Sequence, residues 1–359
     1  GAIVTLPGHP GEWRVREWEW RTHGIELTLV RLAASRSTGV TADPGRGAPA
    51  ADYPAAVSQL VACELPWDGN SATPVPLLLA AVSAANAGWN GASVLGDWGE
   101  GTLDPIGASG RARAVLGTAE EALPPASPLL FDRHRTVVIQ LAAPDLALTG
   151  ATMRQLAQGA NRALLGGEII QFAHVQPLGG GRWKLSGLWR GRGGTEGAVG
   201  DHAAGEAFVL LDGTGLLIDP SALGRVPPLT LAAIGLADEA PVTAPILLRG
   251  IGERPLAPVH GRARLLAGGG LEVRWTRRAR GAWDWPDEAD TPLGESSEGY
   301  LASFGDAAGP VSGWDLTEPL LALSPSEVSS LVAAAPAGRF SIRQRGSRAM
   351  SEPLLVDLP

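Results

Sequence analysis

Hydrophobic and polar positions alternate at period two through residues 13–34, "WRVREWEWRTHGIELTLVRLAA". This predicts a β-hairpin: Val15, Glu17 and Glu19 face away from Arg14, Arg16, Trp18 and Trp20, and Ile25, Leu27 and Leu29 share one face after a turn at His23-Gly24. Residues 35–60, rich in Gly, Pro, Ser and Asp, read as an exposed connection. From Pro74 to Gly117 short apolar runs are cut by glycine, a spacing that suits antiparallel β structure, and "TVVIQLAA" at 136–143 reads as a buried strand. Met153, Leu156, Ala157, Ala160 and Leu164 fall at helical spacing. They predict a helix over 150–165, capped by Thr149 and stopped by Gly166 and Gly167.

Two further hairpins follow from the pattern. One turns at Gly179–Gly181, between "EIIQFAHVQPL" and "RWKLSGLWR"; the other turns at Asp212-Gly213 within "EAFVLLDGTGLLIDP". After a proline-rich stretch, Leu271, Val273 and Trp275 alternate with Glu272, Arg274 and Thr276. With "EGYLASF", "GRFSIRQRG" and "EPLLVDLP" they predict a small β-sandwich. The expected organisation is a β-rich segment at 1–67, a β domain at 68–255 carrying the helix, and the sandwich at 256–359. The fold class is therefore mainly β and multidomain, with antiparallel β domains and one or two short helices.

Composition narrows the function. Gly 48 and Pro 29 favour short elements joined by turns over helical bundles. A formal charge of −8 argues against a general nucleic-acid surface, which needs an excess of cations to neutralise phosphates. The single cysteine, Cys63, excludes an internal disulfide and every two-cysteine metal motif. No apolar run is long enough to span a bilayer and no signal-peptide pattern opens the chain, so it reads as soluble. Its start at Gly1, without methionine, is expected to be the edge of a piece of something larger.

The stretch 181–206, "GRWKLSGLWRGRGGTEGAVGDHAAGE", holds the densest set of candidate groups. It is no phosphate loop, because Lys184 is followed by Leu185 inside a strand pattern, and Gly191 and Gly193 lack the third glycine of a dinucleotide fingerprint. A structural loop is expected, in which Arg190, Arg192 and Thr195 donate to backbone carbonyls and His202 is satisfied by a neighbouring backbone group. The six histidines show no metal spacing and no serine sits in a nucleophile elbow, so no metal, cofactor or catalytic residue is expected. Trp89, Trp98, Trp283 and Trp285 lie in glycine- or acid-rich loops and are candidates for a sugar or protein contact. Asp97, Glu100, Asp284, Asp287, Glu288 and Asp290 lie beside them, which keeps an alternative open: a module that binds or degrades envelope polysaccharide.

Residues 159–212 resemble the large tail-tip and baseplate proteins of siphophage-like tails and of alphaproteobacterial gene transfer agents. The resemblance rests on "GAN", "GGE" and "LSGLWRGRGGTE", which include Glu168 and Glu196, followed by His202, Gly205 and Phe208. Trp189 stands where the family usually has leucine, and Gly193 where it has arginine. The resemblance implies a virion structural protein rather than an enzyme. It would be a trimeric hub at the tail tip, beside the distal tail protein and a cell-wall peptidase, contacting the host surface and opening the path for DNA. It also implies that the C-terminal sandwich is fibronectin type III-like, and that this chain is the downstream part of the family's length.

Overall fold

The computed structural model describes residues 1–32, 53–67, 77–219, 226–281 and 293–359. Two compact units divide between Ala51 and Asp52. The first is a three-stranded antiparallel sheet of β1 (Ile3–Leu6), β2 (His9–Arg21) and β3 (Gly24–Arg31). Trp18 pairs with Leu27 and Trp20 with Ile25, so the predicted apolar face exists, and both tryptophans are more than 60% exposed on it (63% and 70%). A bulge between Val15 and Glu17 corrects one detail. It inserts a residue into β2, and a one-residue shift moves Val15 onto the tryptophan face, opposite Leu29.

The second unit begins with β4 (Ser58–Leu65), β5 (Leu77–Ala84), β6 (Ala92–Asp97) and β7 (Asp104–Ala108). Next come β8 (Leu116–Ala119), β9 (Asp132–Leu141), α1 (Met153–Ala157), β10 (Arg162–Leu165), β11 (Glu168–Gly179), β12 (Arg182–Trp189) and β13 (Ala207–Leu210). Six of these strands close a barrel in the order β10-β11-β12-β9-β8-β13 around Val137, Ile139, Leu165, Ile170, Phe172, Leu185 and Phe208. Then follow β14 (Leu216–Ile218), β15 (Thr230–Gly235) and β16 (Val242–Pro245), which complete sheets β14-β5-β4 and β16-β15-β6-β7.

Strand β5, "LLLAAVSA", is apolar without alternation because both its faces are covered. Leu79 and Ala81 pack on the outer wall of the barrel, against Leu116, Leu164, Ile169 and Val209. Leu78, Ala80 and Val82 pack on Val94, Leu231 and Ala233 of the neighbouring sheet.

Two expectations change here. The helix predicted over 150–165 is only the five residues of α1, capped by Thr152 rather than Thr149. Gly159 and Asn161 take φ of 88° and 53°, which ends helical propagation, and residues 162–165 pair instead with β11 and β13. The Asp212-Gly213 turn does not join a hairpin: β13 closes the barrel, whereas β14 crosses to pair with β5. The turn itself is real, since Asp212 Oδ1 accepts from the Thr214 amide and hydroxyl.

The last seven strands are β17 (Val259–Leu265), β18 (Leu271–Thr276), β19 (Tyr300–Asp306), β20 (Gly309–Leu316), β21 (Leu320–Leu323), β22 (Arg339–Gln344) and β23 (Leu354–Asp357). They form sheets β17-β18-β21 and β20-β19-β22-β23, a fibronectin type III-like sandwich, with α2 (Pro325–Ala334) connecting β21 to β22. Leu271, Val273 and Trp275 face its core as the alternation predicts, and the Trp275 ring meets Tyr300 edge-on at 5.2 Å.

Candidate functional site

The chain leaving β12 makes two short 3-10 turns, Arg192–Gly194 and Glu196–Ala198, and returns through His202 to β13. This loop lies over β11 and, together with β5 against Ile169 and the α1 region beside Gln171, covers the outward face of Glu168–Ala173, whose inward side already fills the barrel. Thr195 Oγ1 accepts from the Ile169 amide at 2.9 Å and donates to the Arg192 carbonyl at 2.8 Å. Arg192 Nε donates to Gln171 Oε1, and Gln171 Nε2 donates to the Leu156 and Ala160 carbonyls, tying the loop to α1. The Arg192 guanidinium lies 5.3 Å from the Trp189 ring centroid, so the tryptophan forms part of the loop's packing.

At the centre is Glu168, whose side chain, like that of Arg190, has no exposed surface. Arg190 Nε donates to Oε1 at 2.9 Å and Nη2 to Oε2 at 2.8 Å, and the Gly191 amide donates to Oε1 at 2.5 Å. Nη1 also donates to the Pro124 carbonyl and Nη2 to the Val199 carbonyl. His202 lies between two carboxylates, Nε2 2.6 Å from Glu168 and Nδ1 2.6 Å from Glu206. This corrects the expectation of a backbone partner. Donation from both ring nitrogens requires the imidazolium form. Gly191 takes a φ of 58°, and a Cβ there would lie 2.8 Å from Glu196 Cα, so no other residue fits without moving the turn.

Burial alone would push the Glu168 carboxyl up. Hydrogen bonds from His202 and Arg190, the Arg190 charge and the Gly191 amide outweigh it and hold the carboxyl below its ordinary value of 4.5. For His202 burial works downward, but hydrogen bonds to Glu168 and Glu206, and their charges, raise it above 6.5. The depressed glutamate contributes stability above pH 4.5 that is lost as pH falls through its folded value. The raised histidine contributes stability below pH 6.5 that is lost as pH rises through its folded value. The urea midpoint of the barrel is therefore expected to be flat between these two values and to fall on either side. The alkaline fall should vanish in His202→Gln; a fall of the same size in that variant would assign the effect elsewhere.

The same loop joins the barrel to the sandwich. Glu196 Oε1 accepts from Arg278 Nη1 at 2.6 Å, and Arg278 Nε donates to the Ala257 carbonyl. Nearby, Glu64 accepts from the amides of Arg249, Gly250 and Gly252, while Arg280 pairs with Glu295 and donates Nη1 to the Gly252 carbonyl. The segment between the two domains is thus held from both sides.

Of the four tryptophan candidates, Trp89 and Trp98 lie among the described residues, and each is engaged in internal contacts. Trp89 is a core residue whose Nε1 donates to Ser58 Oγ, which corrects its reading as a surface contact. Trp98 is half-buried, packs near Gly96 and donates to the Val226 carbonyl. Trp283 and Trp285, with Asp284, Asp287, Glu288 and Asp290, lie outside the described residues. Asp97 Oδ1 accepts from the amides of Gly99, Glu100 and Gly101, the work of a turn-capping residue. Among the described residues no group of three or more His, Cys, Asp or Glu could hold a metal, and no helix is long and apolar enough to cross a membrane. Burial pushes the Cys63 thiol up to about 12, so it stays protonated at neutral pH.

Sequence reasoning gave no role to Glu168, Gln171 and Glu206. A carboxylate opening the apolar run "EIIQFA" was the available signal for the first, since a charge there must be paired if the strand is buried.

Residues 114–209 match the family model described as Rcc01698-like, C-terminal, a family associated with the gene transfer agent of Rhodobacter capsulatus. The match spans β8 to β13, and so the whole barrel with its buried cluster. The chain is thereby similar to a gene-transfer-agent protein over that segment. No curated protein matches the chain.

Proposed function

We propose that this chain is a structural component of the tail tip or baseplate of a gene transfer agent or related phage-like particle, where it takes part in host-surface contact and DNA delivery. One observation carries the reading: the segment similar to the gene-transfer-agent family is the barrel, and its densest set of charged side chains is spent on internal partners. Glu168 accepts from Arg190, Gly191 and His202, and Arg190 donates to Glu168 and two carbonyls, an arrangement suited to holding a shape under load. In the assembled particle the chain would be a homotrimer touching the distal tail protein and a cell-wall peptidase, with no direct contact to nucleic acid. The exposed loops of the β domains would meet the envelope, where surface polysaccharide is a reachable partner.

The test is gold labelling of an epitope-tagged copy in particles purified from the source organism. Label at the distal end of the tail is expected. Label on the capsid, or particles that lack the protein yet transfer DNA normally, would overturn the proposal.

A further inference from the structure

Four arginines and one carboxylate line one pocket of about 130 Å³ between the loop after β12 and the segment after β18, bounded by Arg190, Arg192, Glu196, Arg278, Arg280 and Trp67. The arginines' carboxylate partners do not balance them. Arg190 is committed to Glu168 and Arg280 to Glu295, leaving Arg192 and Arg278 to share Glu196. Among the described groups the cluster therefore keeps one positive charge in excess. Arg280 Nη2 is buried 2.6 Å from Glu295 Oε1 in an ion pair, but makes no aligned hydrogen bond among the described residues. A buried guanidinium N–H without an acceptor is costly unless something supplies one.

We propose that this pocket is a binding site for a single compact oxyanion, a carboxylate or phosphate group, held by Arg192 and Arg278 with Arg280 behind them. Planar guanidinium forks suit such a group because each offers paired donors to two oxygens. The volume admits one ion of a few heavy atoms, or the acidic end of one side chain from a partner, and no nucleotide or sugar. Burial holds Arg192 below its ordinary value; Glu196 opposes that and Arg278 adds to it, so an anion placed between the two arginines relieves a repulsion. The site does not depend on the tail-tip proposal.

Calorimetric titration of the intact chain at constant ionic strength tests it, with inorganic phosphate in one arm and acetate in the other. Saturable one-to-one binding is expected. Tighter binding of phosphate identifies a free phosphoryl anion as the natural occupant, and tighter binding of acetate an acidic side chain. Arg192→Gln and Arg278→Gln should each weaken binding about tenfold or more. Glu196→Gln removes the internal competitor and should tighten it several-fold, a gain that damage to the loop would not produce. Arg14→Gln, in the separate N-terminal sheet, should change nothing. Absence of saturable binding in both arms, or binding indifferent to the three pocket variants, would overturn the site.

Discussion

Arg190→Ala is expected to destabilise the barrel by about 3–5 kcal/mol, because it strands the fully buried Glu168 carboxylate without its main counter-charge. The loss should appear as a lower urea midpoint with an unchanged slope, and as loss of the chain from assembled particles. Removing both charges should cost less than removing one. The double variant Arg190→Met, Glu168→Met replaces a desolvated ion pair with apolar volume and is expected to recover most of the stability. His202 and the Gly191 amide would then lose an acceptor, so recovery should be incomplete. A single Arg190→Ala variant that melts with wild type would show that the pair is not what holds the loop on β11.

Phe208→Ala is expected to cost about 3–5 kcal/mol through lost burial and the cavity left behind. Phe208 is fully buried in the barrel core on β13, the strand that bridges β10 and β8. With only four residues in β13, the strand has few other means of staying in place. Hydrogen exchange should therefore accelerate first in β8, β10 and β13, with the C-terminal sandwich unaffected. Uniform acceleration across both cores would mean that they unfold as one unit.

The helix shows where local pattern misleads. Apolar spacing from Met153 to Leu164 fits a helix, and the pattern carries no record that Asn161 will turn left-handed. There its side chain donates to the Thr149 and Phe172 carbonyls, and the next residues join a barrel. The failure at Asp212-Gly213 is of the same kind: the turn chemistry was legible, but which sheet receives the outgoing strand was not. His202 was placed correctly in the returning loop, while its partners were not. Its acidic contacts lie 34 positions upstream at Glu168 and four downstream at Glu206.

What the amino-acid sequence by itself determined was the β character of the chain and the core faces of its clearest strands. It also determined the glycine turns, with Gly179, Gly180 and Gly181 all at positive φ, and four of the seven strands of the C-terminal sandwich. These follow from side-chain alternation and turn preference, which act over a few residues. Only the tertiary structure decided the barrel closure, the double burial of β5 and β11, the Glu168–Arg190–His202 cluster and the cationic pocket beside it. Each depends on which distant surfaces meet, and a charge becomes structural only when folding removes the water that would otherwise have satisfied it.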